Sequence, residues 1–422
     1  MREYHSFDFL KKIYFVRTGG SEEELKAAKI ISDEVKKLGG EATLEDFLVD
    51  SSDVYVSKLI VDEKYEIECK GSGYSGVTPD DGIKGRFIYI SSEEELEMTS
   101  LKNKIVLINS KRAPHKFYKK AISDKALGII LTTGDVYKEN DDVDLDPYLN
   151  RESDYNLGMI PTVMIRMKDA EKLVEEDPKF IRIILKTEDS KKTSHNVVAK
   201  IKGSKYPDEV IAFTAHYDSV AYSKGIYDNG SGCITLLQLF NYYIKNQPKR
   251  SLVFIWCGSE EMGLLGSKEY TKKYKDEIEK KFLLNINIDM VAVTLGHDIA
   301  CVTGDNDIVS YIKYTSKELG FPIRAYQGVY SSDSTPFADL GVPAISFARL
   351  SEAGGAKIHS KTDVIERLSE KNYMRTYNFI QEFTSRLINS YQFPIEKNMP
   401  DEMKDELDYY LLRKERPKNK KK

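Results

Sequence analysis

A chain of 422 residues is longer than one hydrophobic core usually organises, so a main domain with an insertion or a second domain is expected. Its 63 basic and 67 acidic residues leave a net charge of -4, which gives no field to draw in nucleic acid or an anionic membrane, and neither is expected as a partner. The opening MREYHSFDFLKKIYFVRTGG is broken by Asp8, Lys11 and Lys12, so it offers no apolar core of a secretory signal, and no apolar run approaches bilayer length. Cys69, Cys233, Cys257 and Cys301 are too few and too scattered for a disulfide framework; reduced, buried thiols and a cytoplasmic location are the expectation.

In chain order, SEEELKAAKIISDEVKKLGG from Ser21 predicts one helix. Ser21 and Glu24 are spaced as a capping box, Leu25, Ala28, Ile31, Val35 and Leu38 form an apolar stripe, and Gly39 is the stop. Strand-like text follows at 54–61 and 85–90. KIVLINS at Lys104 reads as a short strand, KALGIILTTGD at Lys125 as a helix end feeding another, and IPTVMIRMKDAEKLVEE at Ile160 as strand then helix. Residues 71–186 are therefore expected to form an inserted, smaller, β-rich α+β domain within a main domain of residues 1–70 and 187–395. The loop ENDDVDLDPYLNRESD lacks the spacing and turn glycine of a calcium loop and reads as a solvated excursion.

From Asn196 the pattern becomes strand, loop and helix, repeated: VIAFTAH then CITLLQLFNYYIKN; LVFIWC then a helix to about 281; FLLNINID; AISFA. This predicts an α/β fold with a mixed, mostly parallel sheet and helices on both faces. From Ser369, Met374, Tyr377, Ile380, Phe383 and Leu387 share one face of a packing helix, and residues 396–422, ending RKERPKNKKK, read as a charged C-terminal tail.

In such sheets functional groups gather just beyond strand ends. VIAFTAHYDS delivers His216 and Asp218 there, GIYDNGSG delivers Asp228, LVFIWCGSEE delivers Glu260 and Glu261, LLNINID delivers Asp289, and GGAKIHSKTD delivers His359 and Asp363. Two imidazoles and several carboxylates suit zinc, and they exceed the three ligands one zinc needs. Two metals sharing a bridging carboxylate, roughly 3.5–4 Å apart, fit that surplus. Consecutive residues leaving a strand point opposite ways, so one glutamate of the pair can bind metal while its neighbour faces the water held there and serves as general base. Singly, these features are ordinary: a strand-end histidine is usually structural, adjacent glutamates are usually surface charge, and DNGSG is a turn lacking the lysine of a phosphate loop. Their order and joint placement set them apart.

The ordered set AHYDS, YDNGSG, SEEMGLLGS, NIDM and IHSKTD resembles the M28 family of co-catalytic zinc aminopeptidases and related carboxypeptidases, over most of the chain outside the middle unit. The helix at Ser21 and TSHNVVAKIKG at Thr193 are similar to the family's lead-in, and residues 71–186 are similar to the protease-associated domain that members often carry. The resemblance implies a zinc-exopeptidase-like fold and two Zn2+ per chain, with His216 and Asp289 on one ion, Glu261 and His359 on the other, Asp228 bridging and Glu260 as general base. It further implies that Asp218 and Asp363 accept from the imidazoles and fix their tautomers. A cis peptide between Asp228 and Asn229, rare for a non-proline bond, belongs to the same expectation.

The implied reaction is hydrolysis of the peptide bond next to a free N-terminus of a peptide substrate, by a water bridged between two zincs. Tyr330 and Asp333 are candidates to line the substrate pocket, and Arg349 to pair with a substrate carboxylate, which would favour a carboxypeptidase or dipeptidase. Polar turn chemistry and a surface ion pair explain those three as well. A non-catalytic binding protein on the same scaffold and a single-zinc glutaminyl-cyclase-like transferase are the rival readings, and homo-oligomerisation is left open.

Overall fold

The computed structural model describes residues 5–138, 143–145 and 148–416. Parts of the acidic loop and of the basic C-terminal end fall outside them. The chain divides into two compact units, Met1–Val49 with Thr193–Lys422, and Asp50–Lys192. The inserted unit thus begins about twenty residues earlier than expected and ends six later. Two long strands, Ala42–Val61 and Phe180–Ile201, run continuously through the boundaries.

In the larger unit the strand order is Arg324–Gln327, Gly296–Thr303, Ala344–Ser351, Phe282–Ile288, Tyr206–His216, Arg250–Cys257 and the end of Phe180–Ile201. The three strands Phe282–Ile288, Tyr206–His216 and Arg250–Cys257 are parallel neighbours, and Ala344–Ser351 extends them in parallel. Alternation along the central strand decides what covers each face. Ile211, Phe213 and Ala215 join the core formed with helices Glu22–Lys37, Ser231–Lys245 and Glu370–Asn389, whereas Val210 and Ala212 join Tyr270, Ile278 and Phe337 of the helices on the other side. Both faces are buried, as the near-continuous apolar strands require. Parallel strands also bring their C-terminal ends to one edge, so His216, the Gly258–Glu261 turn and Asp289 emerge together.

The helix expected from Ser21 spans Glu22–Lys37, with the Ser21 hydroxyl accepting the Glu24 N–H at 3.0 Å. Among the described residues, no helix is long and apolar enough to cross a membrane. All four cysteines are free, three of them buried. In the inserted unit, Ile83–Ile90, Lys104–Ile108, Gly128–Thr133 and Thr162–Arg166 lie side by side in parallel, separated in sequence by helices Glu93–Met98, His115–Asp124 and, within a longer loop, Glu152–Tyr155.

The C-terminal tail is the main correction. Residues 401–410 form a helix, Asp401–Tyr410, whose Met403 and Leu407 sit four apart and bury against Met399, Ala338 and Ala344. Three basic residues behind it, among the described residues, are paired: Arg413 grips both oxygens of Asp339 at 2.6 and 2.7 Å, Lys414 meets Asp405 and Asp408 at 2.8 Å each, and Arg416 meets Glu406 at 2.6 Å. A solvated tail would not respond to truncation of Leu407. The packed helix predicts that Leu407→Ala lowers unfolding free energy by about 2–4 kcal/mol in denaturant titration; no change would return this segment to solvent.

Candidate metal centre

The strand ends deliver two ligand sets that share one residue. His216, Asp228 and Asp289 form one, Asp228, Glu261 and His359 the other, and within each set one ligand atom per residue lies within 4.8 Å of the rest. Asp228 joins them: its Oδ1 is 3.1 Å from His216 Nε2 and its Oδ2 is 3.1 Å from His359 Nε2. Asp289 Oδ1 stands 3.6 Å from His216 Nε2, and Glu261 Oε2 stands 3.0 Å from His359 Nε2. Glu260 Oε2 is 4.0 Å from His216 Nε2, beside the cluster but outside both sets. All six expected residues therefore meet.

Backbone gripping holds the loops that carry them. Asp363 accepts three consecutive N–H groups, from Ile226 at 3.0 Å, Tyr227 at 2.7 Å and Asp228 at 3.1 Å. It was expected to fix the His359 imidazole; its oxygens hold the turn that leads into Asp228 instead, because that turn's N–H groups are buried and need acceptors. Asp218 has two tasks. It approaches His216 Nδ1 at 3.4 Å, and its oxygens accept the N–H groups of Glu260 at 3.0 Å and Glu261 at 3.2 Å. The Asp228–Asn229 peptide is cis, as the resemblance implies.

Three supports were not legible as such. Asn229 donates to the Ile288 carbonyl at 2.9 Å and accepts the Met290 N–H at 3.1 Å, bracketing Asp289 from both sides. Arg17, fully buried, donates to the carbonyls of Ile13, Phe15, Tyr217, Lys224 and Gly225, and so ties the loop after His216 to the N-terminal segment. Glu24 is also fully buried and reaches the glutamate turn through Ser259, at 2.8 Å from its N–H. The available signal was a charge inside an apolar stretch: Arg17 in YFVRTGG, and Glu24 at a helix position the apolar stripe left out.

Of the substrate-side candidates, Tyr330 is half-buried, and Asp333 is buried with no hydrogen-bond partner on either oxygen. Arg349 is overturned as a ligand for a substrate carboxylate. It is buried, with Nη1 on Asp298 Oδ2 at 2.7 Å and Nε on the Val293 carbonyl at 2.9 Å, and Thr376 completes the pair by donating to Asp298 at 2.7 Å. A buried guanidinium needs such a counter-charge and cannot be lent out.

The electrostatics are those of a site short of positive charge. Burial would lower the His359 imidazole, but Asp228 and Glu261 outweigh it and hold it up to about 10; His216 is likewise held well above its ordinary value by Glu260, Asp218, Asp228 and Asp289 against its burial. Burial, helped by Asp228, pushes Glu261 up to about 7, and burial with neighbouring carboxylates pushes Glu260 well above the carboxylate range. Asp228 goes the other way, because the two imidazoles more than offset its burial. Glu261 Oε1 and Asp289 Oδ1 are buried without a hydrogen-bond partner. Orphaned carboxylate oxygens beside imidazole nitrogens are the donor chemistry of divalent zinc, and the residues fit it.

Removing the Asp363 grip with Asp363→Ala is expected to weaken zinc binding by about 10- to 100-fold in chelator competition; unchanged affinity would show that the turn holds its shape alone. A metal-bound imidazole is neutral, whereas His359 without metal keeps its proton up to about pH 10, so binding at neutral pH must release protons. Zinc affinity should therefore climb as pH rises toward that value, and a flat profile above neutrality would contradict it.

Residues 196–384 match the model of peptidase family M28. Over 388 residues the chain is 26% identical to aminopeptidase YwaD of Bacillus subtilis, covering 89% of this chain and 82% of that one. Carboxypeptidase Q of Pongo abelii is 26% identical over 244 residues, 52% of this chain and 49% of its own length. Among solved structures, the zinc aminopeptidase BSAP of Bacillus subtilis superposes with a TM-score of 0.75 at 23% identity, covering 94% of this chain and 98% of that one. The matched span contains both ligand sets, Glu260 and the two gripping aspartates, and over that span the chain is similar to peptidase family M28.

Proposed function

We propose that this chain is a metal-dependent aminopeptidase, which hydrolyses the peptide bond next to a free N-terminus at a site for two zinc ions. The observation that carries the reading is Asp228, whose two oxygens each meet a different imidazole at 3.1 Å and so join two ligand sets through one carboxylate. His216 and Asp289 would hold one ion, Glu261 and His359 the other, with Asp228 between them. Bound there, the ions would supply Lewis-acid polarisation of the scissile carbonyl and make water acidic enough to ionise near neutral pH.

The chain's own part is proton transfer and orientation. Glu260 lies at the edge of the cluster and belongs to neither set, which leaves its carboxylate free to take a proton from the attacking water and return it to the leaving amine. Asp218 and Asp363 keep the two loops in place while charge develops. Tyr330 and Asp333 are proposed on the substrate side. The position of Asp50–Lys192, inserted between the two parts of the larger unit, supports the protease-associated reading of that segment.

The likeness to YwaD and BSAP, which spans most of both chains, favours the aminopeptidase over the carboxypeptidase. So does the engagement of Arg349 with Asp298, which removes the group invoked for a substrate carboxylate. A non-catalytic scaffold would have no physical reason to keep so many buried carboxylates.

Amino-acid anilides should be cleaved and acyl-blocked peptides spared, with loss in chelator and recovery with zinc; the reverse preference would make the enzyme a carboxypeptidase. Glu260→Gln should retain zinc yet lower kcat by about 10²–10⁴-fold, and near-normal turnover in that variant would remove Glu260 from the role.

A further inference from the structure

A glutamate in the first turn of a helix is ordinarily an exposed partner of the helix dipole. Glu24 departs from that pattern, being fully buried and using both oxygens. One does capping work: Oε2 accepts the Gly20 N–H at 2.7 Å. The other reaches across the fold, where Oε1 accepts the Ser259 N–H at 2.8 Å, the Ser259 hydroxyl at 3.1 Å and the Ser194 hydroxyl at 2.9 Å.

Ser259 is the residue before the glutamate pair, and its φ of 51° lies in the left-handed region that a serine enters only under constraint. The surroundings are shaped for this contact. A Cβ on Gly258 would come within 2.9 Å of Glu24 Oε1, and one on Gly19 within 2.4 Å of the Ser259 hydroxyl. Asp218 takes the next two N–H groups, so three consecutive amides, 259 to 261, end on two buried carboxylates. Capping alone accounts for none of the contacts at Ser259 or Ser194.

We propose that Glu24 is a positioning residue for the general base: by fixing the left-handed Ser259 it sets the direction in which Glu260 leaves the turn. The inference rests on the reading of Glu260 as that base. An apolar residue at 24 would leave the Ser259 N–H group buried and unpaired, and the turn would relax to satisfy it. A shift of about 1 Å in a catalytic group can cost on the order of 10²-fold in rate.

Glu24→Gln keeps the size of the side chain but replaces one accepting oxygen with a donor. It is expected to lower kcat by about 10- to 100-fold while KM and zinc content stay within about two-fold. In a Glu260→Gln background, where there is no base left to position, the same substitution should change residual kcat by less than about three-fold. An unchanged kcat in the single variant, or an equal loss in both backgrounds, would overturn the inference and reduce Glu24 to a structural cap. Near-normal turnover of Glu260→Gln alone would instead remove the base itself, and the role of Glu24 with it. If Glu24→Gln fails to fold, Ser194→Ala with Ser259→Ala deletes two of the donors to Oε1 and should show the same background dependence on a smaller scale; an additive loss there would be equally fatal.

Discussion

More carboxylates than cations are buried where the parallel strands end, and that imbalance shapes the rest of the centre. Asp218, Asp228, Asp289 and Asp363 are buried there and Glu260 and Glu261 nearly so, against two imidazoles and the guanidinium of Arg17. Taking such charges out of water is unfavourable unless each finds hydrogen-bond donors or a cation. Backbone N–H groups answer for Asp218 and Asp363, which carry no ligand role, and the imidazoles answer in part for the rest. What remains uncompensated lies in the two ligand sets, Glu260 and Asp333, which is buried with no hydrogen-bond partner on either oxygen.

The same carboxylates give the site its rigidity. Two of the loops at the site hand consecutive N–H groups to acids from distant parts of the chain: 226 to 228 to Asp363, and 259 to 261 to Glu24 and Asp218. Asn229 then links Asp228 to the strand end at Asp289, and Arg17 stitches the loop after His216 to the N-terminal segment. Groups set this way need little rearrangement when charge develops in the reaction, which is where most of a preorganised site's advantage lies.

Much of this was legible in the sequence. Apolar runs ending in His216, Asp289 and the glutamate pair announce strand ends, and strands that alternate with helices bring such ends to one edge, so the candidate ligands could be picked out by order; their division into two sets and the role given to Glu260 came from the resemblance to the M28 family. Boundaries were harder. Ala42–Val61 and Phe180–Ile201 pass through both unit junctions as continuous strands, although the polar runs DSSD at Asp50 and EDSKK at Glu188 read as turns, so the sequence misleads about where each unit ends. The C-terminal helix was hidden because its charges dominate a stripe of only two apolar residues, Met403 and Leu407. Roles that depend on where a side chain turns were not readable either. Nothing in the text distinguishes an aspartate that faces an imidazole from Asp363, which faces a backbone, or an arginine open to substrate from Arg349, locked on Asp298.

The central claim is that Asp228 stands between two metal sites. Anomalous scattering at the zinc absorption edge from crystals of the zinc-loaded protein tests it most directly. Two peaks should appear, one on each side of the Asp228 carboxylate and about 3.5–4 Å apart. A single peak, or none between His216 and His359, would contradict it.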